Sequence, residues 1–475
     1  MVSRRFLAPV SLLAALLAAA ACTPESNPPQ TASAAAGRAV VLPPEIERQV
    51  GPAYASPPLQ ALVERLGQRL VAQSSVSGSF RFYVLDQPQA NAHALASGYI
   101  LVTRGLLALV DDDAELAAAI GHEIAHVTLK HAAQREQARR SAIGAAVDAA
   151  VKSGSVTVGR SVANSGMLEL RRYSREQELE ADRVGLGYLV NAGFRGDAML
   201  GLVEKLRRQA ALDERLLGES PSDARERCNA LSTHPEPDER IAALRQLEAS
   251  RRPGQSDRAA YLALIDRMSV DDRPEEGFAR GPAFAHPTMR LAFSAPSDFY
   301  LVNEPNRVLG LGRDRSVLAF SCSATKIKGR LTDWMRDQMK PTPTDIQATE
   351  IGGAEAAIGA RPRGADTGLG QLRYVLIRHG EGLCSFNLWS DGPDRDRRIE
   401  MLVAAARSFR TLSESEASSL KPYVLRVVPR DGQTAAQFAE RLPYNELRLA
   451  RLLALNGVDS AAEFARLVDV KVVVP

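Results

Sequence analysis

The sequence predicts an α+β protein in three folded parts: a mainly helical domain over 45–250, a smaller α+β domain over 282–412 and a βααβ module over 422–475. Three observations predict it. From Pro43 to about Arg251 apolar residues recur with a helical period, interrupted by two strand-like runs, Phe80–Asp86 and Tyr99–Thr103. From Pro282 the texture changes to short alternating runs, Leu291–Ser294, Val317–Ser321, Tyr374–Arg378 and Ser385–Trp389, separated by Gly, Pro and Asp clusters. Residues 422–475 read strand, helix, helix, strand. The 475 residues, 45% hydrophobic and 24% charged, suit about three folded domains. A net charge of +3 and 5% aromatic residues leave no footprint for nucleic acid.

In chain order, residues 1–22 are an address rather than fold. Arg4 and Arg5 make a positive n-region, Ala8–Ala21 is an apolar run too short to span a bilayer, and Ala19-Ala20-Ala21-Cys22 ends it in small residues and a cysteine. The stretch is similar to a bacterial lipoprotein signal, with Cys22 as the lipidation site. An ordinary secretory signal cut near Ala21 is the plainer reading. Either one exports the protein, and the lipoprotein reading places it in the periplasm, anchored to the outer membrane. Residues 23–44, rich in Pro, Ser and Ala, are expected to be a flexible tether. Four cysteines rule out a disulfide scaffold, but export permits a bridge. Cys322 and Cys384, both in strand-like segments of one domain, are the pair to expect, with free buried thiols as the alternative.

Asp111–Asp113 supply N-cap candidates for a helix running from Ala114 to about Arg140. A second helix is expected from about Leu168 to Asn191, stopped by Gly193. Between them Ser141–Gly166 is small and apolar, suited to a weakly amphipathic helix plus a loop, or to a lid or contact surface. Residues 251–281, charged and with one short helix near Tyr261–Met268, read as a linker. Arg330–Lys340 and Asp396–Phe409 read as the helices of the second domain.

The chemistry-bearing pattern is His122-Glu123-Ile124-Ala125-His126 inside the first helix. Residues four apart stack on one helix face, so His122 and His126 can hold one Zn²⁺, with Glu123 placed to take a proton from metal-bound water. The spacing alone is also met by helices with two unremarkable histidines. A third histidine ligand downstream is excluded, because Leu129 and Ala132 stand where that pattern needs glycine and histidine. The run Ser174–Asp182 offers Glu178 and Asp182, again four apart. Glu178 would complete a His₂Glu site, and Asp182 would accept the outer N–H of a ligand imidazole, His122 by preference. Taken alone the acidic run reads as a solvated helix face.

HEIAH followed by SREQELEAD resembles the gluzincin metallopeptidases of the HtpX, BepA and CAAX-endopeptidase group. Asn91–Ile100 with Thr103–Leu107 is similar to that family's edge strand, and Ser232-Thr233-His234-Pro235 with Arg240 and Ile241 to its STHP segment. The resemblance spans residues 45–250. It implies a zincin architecture, the HExxH helix under a small sheet, with one Zn²⁺ per chain on His122, His126 and Glu178. It implies Glu123 as general base, His234 as a fourth ligand, gate or loop-ordering residue, and Arg240 as oxyanion stabiliser or exposed cation. Asn91, Gly98, Tyr99 and Ile100 would bind substrate along an edge strand. His93 replaces a usual Phe there and is expected as a polar cleft wall. His131 lies on another face of the continuous helix and is expected to be structural.

The C-terminal module, with Asp431-Gly432-Gln433-Thr434 at its turn and Leu452–Asn456 (LLALN), resembles a LysM module, which implies peptidoglycan as a partner. Arg466–Asp469 departs from that pattern, so a small docking domain is the alternative. Together the resemblances imply an exported zinc metalloendopeptidase that cleaves misfolded or misassembled cell-envelope proteins. The reading of a different class is an envelope chaperone or peptidoglycan-binding protein with a latent metal site. An aminopeptidase would share the same ligands.

Overall fold

A computed structural model of the chain describes residues 41–74, 78–153, 155–217, 234, 237–304, 306–314, 316–361, 371–390 and 394–475. The expected signal with Cys22, most of the tether, Cys228, and Ser232, Thr233 and Pro235 lie outside the described residues. Ala39–Pro475 pack as one unit.

The first part opens with helices α1 (Pro44–Val50) and α2 (Pro57–Val71). Leu59, Leu62, Val63, Leu66 and Leu70 recur at helical spacing on α2 and are all buried. Strands β1 (Arg81–Leu85), β2 (Ala92–Ala94) and β3 (Tyr99–Thr103) form a sheet of order β1-β3-β2, parallel on one side and antiparallel on the other. Strand β3 is buried along its length, which is why Tyr-Ile-Leu-Val-Thr reads as a continuous apolar run. It is the central strand, not an edge. The exposed pairing edge next to the helices belongs to β2.

Helix α3 (Arg104–Leu109) leads into α4 (Asp113–Thr128), capped by the Asp112 side chain on the Glu115 N–H. Every residue of α4 from Ala114 to His126 is buried, so it is the axis of the domain. The expected helix to Arg140 is instead two: Leu129 closes α4, Lys130 sits in the left-handed region at φ 57°, and α5 (His131–Ser153) sets off in a new direction. Helix α6 (Val156–Asn191) starts before the expected Leu168, so Ser141–Gly166 is largely helical. Helices α7 (Asp197–Leu217) and α8 (Pro237–Gln246) close the bundle. Small residues let α4 and α6 touch: a Cβ added at Gly185 would lie 2.9 Å from the His122 backbone nitrogen.

The stretch read as a linker is packed. Helix α9 (Arg258–Ile265) puts Tyr261, Leu262, Ile265 and then Met268 into the same core as α2, α4 and β3. Tyr261 donates its hydroxyl proton to the Leu107 carbonyl at 2.6 Å.

The second part is built on antiparallel sheets. Seven strands lie side by side in the order β10 (Thr344–Ile351), β11 (Ala354–Ala360), β12 (Gln371–His379), β13 (Gly382–Ser390), β9 (Val317–Ser323), β8 (Arg307–Gly312) and β7 (Phe299–Glu304), and four more in the order β14 (Arg410–Thr411), β6 (Leu291–Ser294), β5 (Ala283–His286) and β4 (Phe278–Arg280). Strands β9 (Val317–Ser323) and β13 (Gly382–Ser390) place Cys322 opposite Cys384, and a disulfide joins them, as the pairing of strand-borne cysteines predicted. Helix Arg395–Arg407 packs Ile399, Leu402 and Ala406 on one face of the large sheet, and helix Leu331–Gln338 packs Leu331 and Met335 on the other. In the last part β15 (Val424–Pro429) and β16 (Asp469–Val474) pair antiparallel around helices Ala435–Glu440, Arg448–Leu455 and Ala461–Phe464. Among the described residues no helix is long and apolar enough to cross a membrane.

Candidate metal centre

The helical spacing brings His122 and His126 together as expected, with their Nε2 atoms 3.0 Å apart. Helix α6 delivers Glu178 between them: its Oε2 is 3.4 Å from His122 Nε2 and its Oε1 3.3 Å from His126 Nε2. His234 completes the group, with Nδ1 2.9 Å from Glu178 Oε2 and 3.2 Å from His122 Nε2. One ligand atom from each of the four residues lies within 4.8 Å of all the others. Glu123, the next residue along α4, is buried beside them with Oε1 3.2 Å from His234 Nε2.

The donor set suits a divalent cation. Imidazole nitrogens and a carboxylate are zinc's ordinary ligands. Among the described residues Glu178 Oε1 is buried and faces only the ring nitrogen of His126, at 3.3 Å, a group that ordinarily demands a full partner. The electrostatics agree. Burial opposes a charge on His234, yet the Glu178 and Glu123 carboxylates outweigh it and raise the imidazole to about 10. Burial likewise opposes ionisation of Glu123, and the facing His234 overrides it, bringing the carboxyl down to about 2. Burial dominates at His126 and lowers it to about 4, so this ring is neutral and its lone pair free to ligate. The cluster favours positive charge at its centre.

The outer partners are ordered too. His122 Nδ1 lies 2.9 Å from Asp182 Oδ1, the contact the four-residue spacing predicted. Arg240, expected either at an oxyanion or in solvent, is not in solvent. It is buried, and its Nε and Nη2 donate to the two Asp182 oxygens at 2.7 Å each, with Nη1 3.4 Å from Glu178 Oε2. This bidentate pair overcomes burial and keeps Asp182 well below the usual carboxylate range.

The expected substrate residues separate. Tyr99 accepts a hydrogen bond from Arg81 Nη1 at 2.8 Å and stacks on Tyr83, remote from the cluster. Ile100 is in the main core. Gly98 makes the β2–β3 turn at φ 85°, where a Cβ would meet the Ser79 carbonyl at 2.8 Å. Asn91 immediately precedes β2, its backbone N–H donating to Thr103 Oγ1 at 2.9 Å. It is β2 that reaches the cluster: the Ala92 carbonyl is 3.4 Å from His234 Nε2. His93, half-buried on β2, is lowered by burial and held up by the nearby Glu123 charge.

Sequence reasoning missed His131. On a continuous helix it would face away from His126. The break at Leu129-Lys130 folds it back, fully buried, with Nδ1 2.9 Å from His126 Nδ1. Its Nε2 is 3.4 Å from Glu180 Oε2. No helix-breaking residue marks the spot.

The part of the chain that carries this geometry is similar in sequence to known proteins. The sequence model of peptidase family M48 matches residues 57–248. A putative beta-barrel assembly-enhancing protease of Vibrio cholerae is 34% identical over 206 residues, 41% of this chain and 40% of that protein. The beta-barrel assembly-enhancing protease of Escherichia coli K12 is 30% identical over 235 residues, 47% of this chain and 46% of that protein. Mitochondrial metalloendopeptidase OMA1 of Schizosaccharomyces pombe is 30% identical over 152 residues, 31% of this chain and 44% of that protein. The chain thus spans less than half the length of these relatives.

Proposed function

From a zinc metallopeptidase domain of family M48 over residues 57–248, we propose that the whole chain is an exported metalloendopeptidase that cleaves misfolded or misassembled cell-envelope proteins. The observation that carries this is the meeting of His122, His126 and Glu178 within 4.8 Å of one another with Glu123 at their side.

His122 Nε2, His126 Nε2 and the Glu178 carboxylate would hold the zinc. When bound, zinc supplies Lewis acidity toward the scissile carbonyl and lowers the pKa of its water to about 7. Glu123 takes the water proton and returns it to the leaving amine. Asp182 fixes the tautomer of His122, and Arg240 fixes Asp182, in place of the oxyanion role expected from sequence. An extended substrate adds along β2, from Asn91 to Ala94, in place of Gly98–Ile100. His234 is the gate. Paired with Glu123 and Glu178 it occupies both the base and the open metal position, so cleavage requires it to withdraw.

The envelope assignment is supported by the n-region, apolar run and Cys22 of a lipoprotein-type signal, by the Cys322–Cys384 bridge and by the names of the relatives. On this reading the protein is periplasmic and lipid-anchored to the outer membrane through Cys22. The paired strands β15 and β16, with the two expected helices and the additional short helix Ala461–Phe464 between them, support a LysM-like module with peptidoglycan as partner. A second reading, a chaperone or binding protein with a latent site, draws on the same His234 contacts.

Zinc content and casein cleavage of wild type, Glu123→Gln and His234→Ala separate the two readings. The peptidase reading expects about one zinc per chain, cleavage reduced about 10²–10⁴-fold in Glu123→Gln with zinc retained, and faster cleavage in His234→Ala. Zinc without cleavage in both wild type and His234→Ala would favour the binding protein.

A further inference from the structure

We propose that His131 is a positioning residue for this site: it accepts the outer N–H of His126 and so fixes the tautomer whose Nε2 faces the metal position. The inference rests on the zinc reading above. Two neutral imidazole nitrogens 2.9 Å apart must share one proton, so one of His126 Nδ1 and His131 Nδ1 donates and the other accepts. The far side of each ring decides which. His126 Nε2 points at His122 Nε2 and Glu178 Oε1, and it must offer a lone pair to ligate. Its proton therefore sits on Nδ1. His131 then accepts at Nδ1 and carries its own proton on Nε2, facing the Glu180 carboxylate at 3.4 Å, an acceptor when ionised. The opposite assignment would set a bare His131 Nε2 lone pair against that carboxylate and a proton on His126 Nε2 inside the cluster.

The surroundings lock this arrangement. The His131 ring is fully buried and set at 73° to His126. Lys130 in the left-handed region turns the chain so that α5 begins with His131 under His126. Gln177 Nε2 reaches the His131 carbonyl at 3.5 Å and Gln134 Oε1 at 2.9 Å, tying the start of α5 to the helix that carries Glu178. The two ligand histidines thus have different supports. His122 leans on a charged carboxylate held by Arg240, and His126 on a neutral ring backed by a half-exposed carboxylate.

The test has two readouts on the full chain, neither of them activity. In zinc affinity by chelator competition, His131→Phe, which removes the acceptor, weakens binding about 10- to 100-fold. His131→Asn, whose Oδ1 can replace Nδ1 as acceptor, stays within a few-fold of wild type. With seven histidines in the chain, selective ¹⁵N-histidine labelling of the zinc-loaded wild type reads the tautomers directly. A proton on His131 Nε2 and on His126 Nδ1 is expected, and a proton on His131 Nδ1 overturns the proposal even if His131→Phe fails to fold. Equal zinc affinity in wild type and folded His131→Phe, or equal loss in the Phe and Asn variants, also overturns it. Failure of the wild type to bind zinc at all would instead remove the zinc reading, and this inference with it.

Discussion

Helix α4 carries a buried charge cluster at each end, and the two are built differently. At its N-terminal end three cations meet three carboxylates. Lys205 Nζ pairs with Glu115 at 2.6 Å and Asp111 at 3.0 Å, Lys471 Nζ with Asp111 at 2.9 Å, and Arg195 with Asp112 at 2.8 Å. The Lys471 ammonium also donates to the carbonyls of Ala108, Leu109 and Val110, closing the C-terminus of α3. At the other end Glu123, Glu178 and Asp182 face one permanent cation, Arg240. The excess there is two negative charges, the charge of Zn²⁺. His234 offsets half of it when protonated. One cluster is a finished joint between the catalytic part and the C-terminal module. The other is complete only with a cation added.

The largest expected effects break that comparison in opposite senses. Lys471→Ala leaves Asp111 with Lys205 as its one cation and strips three carbonyls of their donor. Removing one partner of a buried pair costs about 3–5 kcal/mol, so urea unfolding should show a loss of that size while the folded fraction keeps its zinc affinity. Glu178→Ala should do the reverse, abolishing zinc retention with little change in the zinc-free unfolding curve. A Lys471→Ala protein that folds but binds zinc more than tenfold less tightly would show that the two ends are one system.

Acid sharpens the contrast. Burial works against the charge of Asp111, but Lys471 and Lys205 prevail and lower its carboxyl to about 2, below the ~3.9 of an unfolded chain. A carboxyl lowered by folding contributes stability above its unfolded pKa and loses it as pH falls toward the folded value. Zinc-free protein should therefore lose on the order of 2 kcal/mol from this group between about pH 4 and pH 2. Asp111→Asn should start less stable at pH 6 and show a shallower acid slope. An unchanged slope would place the acid sensitivity in other carboxylates than Asp111, those of the metal centre among them.

Much of the metal centre was legible because it depends on local period. His122 and His126, and Glu178 and Asp182, are four apart on helices, so their shared faces follow from 3.6 residues per turn. What escaped depends on tertiary structure. A three-residue strand, Ala92–Ala94, carries too little pattern to announce that it covers Tyr99–Thr103 and makes that strand central. The helix break at Leu129-Lys130 uses no glycine or proline, so His131 read as facing elsewhere. Arg240 read as an oxyanion stabiliser or an exposed cation, and its pairing with Asp182 was hidden because that partner lies in another helix. Lys471 read as one residue of a closing strand, since nothing near it in sequence reveals the α3 carbonyls it caps. Four strands of the accessory sheets, at Leu291–Ser294, Val317–Ser323, Gln371–His379 and Gly382–Ser390, were legible as alternating runs, and the Cys322–Cys384 bridge was the expected one of two readings once both cysteines were placed on strands.

The smallest effect is expected from the contact that looks strongest on the surface of the same joint. Arg208 on α7 meets Asp459 of the C-terminal part in a bidentate pair, Nε to Oδ1 at 2.8 Å and Nη2 to Oδ2 at 2.9 Å. Its geometry matches that of Arg240 on Asp182. Its setting does not, because the Asp459 side chain is 53% exposed, whereas that of Asp182 is 3% exposed. Water replaces most of what the arginine gives, and two side chains must be held still to keep the pair. Arg208→Ala should cost less than about 1 kcal/mol in urea unfolding, and that cost should shrink further in high salt. A loss as large as that of Lys471→Ala would mean that exposed ion pairs, rather than the buried lysine, hold the C-terminal part against the catalytic one.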